Sequence, residues 1–238
     1  MSKRCLCQNP VLIVVAIIIT EQGLLRLLQL SSVSLPVGGY AFSQGLESAI
    51  EQQWLNDAED VNAWLEVQLL HAQARVDVPV LLRQLRALRD GDFKVLSYWD
   101  HTALACRETE ELLLTDTAMG EALLRLLRQL EVPVPTVIAE QAVASRRVSF
   151  VTTFALAAHH WDVSEDAACL GLMWSWLENQ VAAATKLVPL GQSQAQRLLG
   201  ELQTLVPEAL RLAKLLPDDE IGGSLPALAI ASAQHETQ

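Results

Sequence analysis

Cysteine is scarce in this chain: Cys5, Cys7, Cys106 and Cys169 are the four in 238 residues. So few thiols cannot brace a chain of this length, which excludes a disulfide framework. Cys5 and Cys7 form a C-x-C pair, but that pair offers two ligands, and no nearby His or Cys completes a metal site. It reads as two thiols in a frayed terminus. Positive charge is also short, with 17 basic residues against 28 acidic ones and a net charge of −11. Such a surface repels phosphate backbones, and no Lys/Arg cluster reverses the argument locally, so nucleic acid is excluded as a partner. Long apolar runs are missing too. The stretch from Val11 to Ile19 falls well short of the ~20 residues that span a bilayer as a helix. Lys3 and Arg4 precede it, as in an export signal, but no A-x-A cleavage site follows. The run is therefore read as part of an extra N-terminal segment, and the protein as cytoplasmic without a membrane partner. A cleaved export signal is the minority reading of the run, and a peripheral membrane protein anchored through it is a third hypothesis.

Enzyme signatures are absent as well. No G-x-x-x-x-G-K-[ST] loop cradles a nucleotide, and neither G-x-S-x-G nor H-E-x-x-H occurs. The five histidines, His71, His101, His159, His160 and His235, are scattered. His159 and His160 are adjacent, so on a helix their side chains diverge by about 100°. Asp162 joins them only if the backbone turns there. A helical enzyme with a dispersed site at His159, His160 and Asp162 is the alternative from another class; a solvated helix end is the preferred reading. Cys106 and Arg107 beside Glu108, Glu110 and Glu111 read as a salt-bridged surface. The expectation is no catalytic residue, no metal site and no cofactor.

What is present is apolar content, 51% of the chain, arranged with helical periodicity. This excludes a disordered chain. Val61, Trp64, Leu65, Leu69 and Ala72 share one helical face, and Asn56 or Asp57 can cap that helix. Asp77 and Pro79 are expected to open another helix ending near Asp90-Gly91. Met119, Ala122, Leu123, Leu126, Leu127 and Leu130 form the clearest amphipathic stripe, stopped by Pro133 and Pro135. Ser149 and Ser164 are N-cap candidates. From Ala167 to Ala184 apolar residues surround the axis, which marks a central core helix. Ser193 with Gln196 suggests a capping box, and Pro207 suits a helix start. Alternating strand patterns are missing, and Val132–Ile138 holds two prolines that demote it. The expected fold is all-α, one globular domain of about eight to ten helices.

Three stretches carry more than composition. The first is Ser34-Leu35-Pro36-Val37-Gly38-Gly39-Tyr40-Ala41-Phe42-Ser43-Gln44-Gly45-Leu46-Glu47, after a leucine-rich helix at 24–30. The second is Ala105-Cys106-Arg107-Glu108-Thr109-Glu110-Glu111-Leu112 with Met119-Gly120 downstream. The third is Trp176-Leu177-Glu178-Asn179-Gln180 through Lys186-Leu187-Val188-Pro189-Leu190-Gly191-Gln192. Together and in this order they resemble the UreF family of urease accessory proteins: L-P-x-G then S-x-G-L-E, A-R-E-[TS] with M-G, and W-x-E-N-Q with K-x-V-P-L-G-Q. The resemblance covers residues 24–238 and leaves 1–23 as an atypical extension. The family usually continues past the final His-Glu-Thr-Gln of this sequence, with a tail that helps bind UreD.

The resemblance implies a helical, homodimeric assembly factor. It would bridge the accessory protein UreD (also called UreH) and the GTPase UreG on apo-urease and help place nickel there, holding no nickel itself. Partner-binding candidates are Pro36, Gly38, Tyr40, Ser43, Gln44 and Glu47 in the loop, Arg107 and Glu108, Lys186 and Gln192, and His235. The loop reads equally as a helix-connecting turn with Tyr40 and Phe42 plugging the core. Lys186 reads either as a basic group offered to the partner GTPase or as a helix-end charge facing the dipole. Glu178, Asn179 and Gln180 lie in an apolar helix and are expected to form a hydrogen-bonded network.

Overall fold

The computed structural model describes residues 19–39, 43–145 and 147–235, His235 by its backbone alone. Among the described residues there is no strand, and the fold is all-α as expected. The described residues form twelve α-helical stretches. α3 (Ala58–Gln68) runs without a break through a π-helical segment (Leu69–Asp77) into α4 (Val78–Asp90). α10 (Gln192–Leu202) similarly passes through a 3-10 turn into α11 (Val206–Leu215). Counted as continuous rods, they number ten, within the expected range.

The chain enters through α1 (Glu21–Leu30), where the Thr20 hydroxyl accepts the Gly23 N–H at 3.0 Å. α2 (Leu46–Glu51) is only six residues long. Gln44, Gly45 and Gln53 have φ of 48°, 77° and 61°, and these left-handed residues bound it on both sides. Asp57 caps α3 as expected, its carboxylate accepting from Glu59 N and Asp60 N at 2.9 and 3.0 Å. α5 (Phe93–Ala105) and α7 (Thr136–Ser145) form a layer beside α4 and α8. α6 (Glu110–Gln129) turns its leucine stripe inward, burying Leu123, Leu124 and Leu127, and ends before Pro133.

α8 (Phe150–His160) and α9 (Glu165–Leu187) are the core helices. Every residue from Val151 to Ala158 is buried. α9 buries residues all round its axis from Ala167 to Ala184, the arrangement its sequence implied. Burial drives the Cys169 thiol far above its ordinary pKa, so it is inert packing. α8 lies against α6 so closely that a Cβ on Gly120 would sit 2.1 Å from the Val148 carbonyl oxygen. Only glycine permits that approach, and it sets the height of the α8 N-terminus.

One cap differs from expectation. α10 starts two residues earlier than Ser193 would place it: Gly191 is the N-cap, and Gln194 Oε1 accepts the Gly191 N–H at 3.0 Å. Gly191 adopts the extended N-cap backbone, and Gln194 sits three residues on, which satisfies the geometry first. α12 (Pro226–His235) then packs on α2 and α6. No helix among the described residues is long and apolar enough to cross a membrane. The Cys5-Cys7 pair and the Val11–Ile19 run lie outside the described residues.

Candidate functional site

The site begins with a register fault. Asp77 and Pro79 do not open a new helix; the chain stays helical through them in π register. Val78 N–H bonds Gln73 O, five residues back. Pro79 has no N–H, so in α register it would leave the Arg75 carbonyl unpaired. That carbonyl instead accepts the Gly222 N–H at 3.2 Å, and Arg75 Nε returns a bond to Gly222 O at 3.2 Å. The fault thus docks the C-terminal segment against the helix. π segments are rare and favour functional sites.

The same fault turns Asp77 inward. Arg107 donates Nη2 to Asp77 Oδ1 at 2.5 Å, Nη1 to Asp77 Oδ2 at 3.3 Å and Nε to Asp116 Oδ2 at 3.1 Å. Gln73 Nε2 adds a bond to Asp77 Oδ2 at 3.1 Å, and Phe150 N–H one to Asp116 Oδ1 at 3.0 Å. The Asp77 and Asp116 side chains are each 8% exposed and that of Arg107 17%. Against the salt-bridged surface expected for this stretch, Arg107 pairs inward with Asp77 and Asp116, while Glu108 and Glu110 stay exposed. Burial alone would lower the Arg107 pKa, yet Asp116 and Asp77 outweigh it and hold the guanidinium charged. Burial raises the Asp116 carboxyl above its usual range, and Asp77 adds to the rise against the opposing pull of Arg107. One cation shared by two buried carboxylates leaves negative charge in excess.

This node lines a cleft of about 110 Å³ together with Gln44, Glu108, Thr115, Trp176 and Gln180. Gln44 Oε1 accepts from both Trp176 Nε1 and Gln180 Nε2 at 3.1 Å. Those bonds tie the loop before α2 to α9. A Cβ on Gly39 would stand 2.8 Å from Asn179 Nδ2, so a larger residue there would have to displace the Asn179 side chain. At the mouth, Glu108 accepts from Ser224 Oγ at 2.6 Å and Leu225 N at 3.2 Å, holding the C-terminal segment over the opening.

Of the residues singled out by sequence, Gln44, Arg107 and Glu108 therefore meet at one cleft. Ser43 and Glu47 are half-buried, and Gly38 holds φ 76°. Pro36, Gln192 and Lys186 are exposed, Lys186 in the last turn of α9, and none of the three lines the cleft. Tyr40 and Phe42, and the side chain of His235, lie outside the described residues. Gln180 joins the network expected of it, while Glu178 is half-buried and its carboxyl is raised by burial despite a bond from Val33 N–H. His159, His160 and Asp162 stand exposed at the end of α8, Asp162 with φ 53°. No group of three or more His, Cys, Asp or Glu among the described residues could hold a metal ion. Asp77, Asp116, Gln73 and Thr115 went unnoticed as site residues. The one signal for Asp77 was an acid two residues before a proline inside an unbroken apolar pattern.

The UreF family profile matches residues 55–203, which span the π segment, Arg107, Asp116 and the whole of α9. The chain belongs to the UreF family. It is 53% identical to the urease accessory protein UreF of Marinomonas sp. (strain MWYL1) over 93% of its own length and 94% of the relative's. It is 46% identical to the UreF of Alkalilimnicola ehrlichii over 90% and 92% of the two chains, and 41% identical to that of Hahella chejuensis over 91% and 95%. Members of the family are named as accessory proteins of urease, and the chain takes its place in urease maturation on that basis.

Proposed function

We propose that the protein is a non-catalytic scaffold of urease maturation in the cytoplasm. On this reading it acts as a homodimer that bridges a UreD/UreH-type accessory protein and a UreG-type GTPase on apo-urease while nickel is inserted. The observation that carries the proposal is the family match across nine-tenths of the chain. The fold supports it in one respect. Arg107 and Gln44 spend their hydrogen bonds holding a loop and two helices in place, which is the work of a shaped surface. Pro36, Lys186 and Gln192, exposed on that frame, are proposed to meet partners, and Gly38, Tyr40, Ser43, Gln44, Glu47, Arg107, Glu108 and His235 complete the proposed partner-binding set.

Co-expression with the UreD-type and UreG-type partners, followed by affinity capture of this chain, tests the reading. Both partners are expected in the eluate at fixed stoichiometry, and recovery of this chain alone would refute it. A dimer of this kind needs an isologous interface burying on the order of 1,000 Å² or more. Sedimentation at micromolar concentration should then report twice the 26.1 kDa chain mass.

A further inference from the structure

We propose that the cleft beside Arg107 is a binding site for a cationic N–H donor, a guanidinium or alkylammonium group. The proposal stands on the geometry of this chain and is independent of the partner reading.

Three observations carry it. First, charge is unbalanced. Asp77 and Asp116 share the single guanidinium of Arg107, and both carboxylates are buried. Glu108 at the mouth adds a further negative group, though it is exposed and counts for less. Second, acceptor capacity is left over. Gln180 Oε1 and Thr115 Oγ1 are buried without a hydrogen-bond partner among the described residues, and each residue is 2% exposed. Both residues line the cleft. A buried carbonyl without a donor costs about 1–3 kcal/mol, so a ligand that donates to it gains on binding. The amide is not free to rotate and cure this itself: Gln180 Nε2 is held by Gln44 Oε1 at 3.1 Å. Among the described residues Asp116 accepts two bonds, from Arg107 Nε and Phe150 N, where a carboxylate has room for about four. Third, there is space. A cleft of about 110 Å³ is several times the ~10–15 Å³ that one water needs. Trp176 lines it too, its indole fixed by Gln44, and an indole face suits a cation.

The chemistry asked of the ligand is positive charge combined with N–H donors. A quaternary ammonium satisfies the charge and leaves Gln180 and Thr115 orphaned. The group can come from a free small cation or from an Arg or Lys side chain presented on a peptide.

The test is a titration of the full-length, ¹⁵N-labelled chain followed by NMR at the Trp176 indole and Gln180 amide signals. Methylguanidinium chloride is the free probe, and Ac-Gly-Arg-Gly-amide is the peptide probe. Tetramethylammonium chloride at equal ionic strength is the control. Saturable shifts with methylguanidinium and none with tetramethylammonium are expected. Gln180→Met should weaken binding at least tenfold. Thr115→Val is the second variant should Gln180→Met not fold, with a weakening of several-fold. If both probes saturate the site, it accepts a presented side chain; if methylguanidinium alone does, it takes a free cation. Absence of saturation, equal shifts with tetramethylammonium, or undiminished binding by a folded Gln180→Met or Thr115→Val protein overturns the proposal.

Discussion

Two buried aspartates grip the same helix end and do so by different means. Ser149 and Phe150 begin α8, and their consecutive N–H groups part in two directions. Ser149 N–H goes to Asp100 Oδ1 at 2.9 Å, and Phe150 N–H to Asp116 Oδ1 at 3.0 Å. Asp100 is fully buried and is satisfied by uncharged donors: Ser149 N and Oγ, with Gln141 Nε2 on its other oxygen. Ser149 Oγ continues to Thr152, and Gln84 Nε2 closes the set at 2.5 Å. Asp116 instead leans on Arg107 and opens onto the cleft. A helix N-terminus presents unpaired N–H groups and a positive dipole end, so either carboxylate is at home there. The difference lies in what else each one holds. Asp100 locks α4, α5, α7 and α8 to one another. Asp116, through Arg107, connects α6 and α8 to the π segment and the cleft.

Replacing Arg107 should show the contrast most strongly. Arg107→Met strands Asp77 and Asp116 without a cation and is expected to cost about 3–5 kcal/mol in urea unfolding. Adding Asp77→Asn and Asp116→Asn should recover much of that loss, because removing all partners of a buried ion pair is far milder than removing one. Asp100→Asn comes next, at about 2–4 kcal/mol, since its amide turns a donor toward groups that already donate. No charge removal elsewhere should rescue it, and a rescue by Arg107→Met would erase the distinction between the two nodes. Gly120→Ala follows at about 1–3 kcal/mol, the usual cost of overpacking. Its Cβ would strike Val148 O and approach Ser149 C and Phe150 N at 2.8 and 3.0 Å. It should therefore loosen both nodes at once, read as faster amide exchange at Ser149 and Phe150. Lys186→Ala sits at the small end for stability, within about 0.5 kcal/mol by thermal unfolding. Urease activation in reconstituted cells should nevertheless fall, and normal activation would leave Lys186 as a helix-end charge.

Much of the fold was readable because burial follows the helical period in α3 and α6 and surrounds the axis of α9, as its apolar residues do. The Asp57 and Ser149 caps were readable for the same local reason: short polar side chains before apolar runs. The π segment was not. Nothing local distinguishes a shifted hydrogen-bond register from a helix start at Asp77-Pro79, because the partner of the freed carbonyl, Gly222, lies far along the chain. Arg107 stood out through its motif, but its setting did not, since Asp77 and Asp116 come from two other elements. Gln44 was singled out from its loop, while its bonds to Trp176 and Gln180 depend on how that loop folds back on α9. Charge clusters in sequence say who is near along the chain, and here the pairing runs across it.

The most direct test of the account sets Gln44→Ala against Asp100→Asn, with melting temperature and partner capture measured on the same preparations. Gln44 shapes the surface proposed to meet partners, and Asp100 holds the frame. Gln44→Ala should melt only a few degrees below the parent protein yet capture several-fold less of the co-expressed UreD-type and UreG-type partners. Asp100→Asn should melt lower still, while its folded fraction captures both partners as the parent does. Capture that simply tracks melting temperature in both variants would contradict the account.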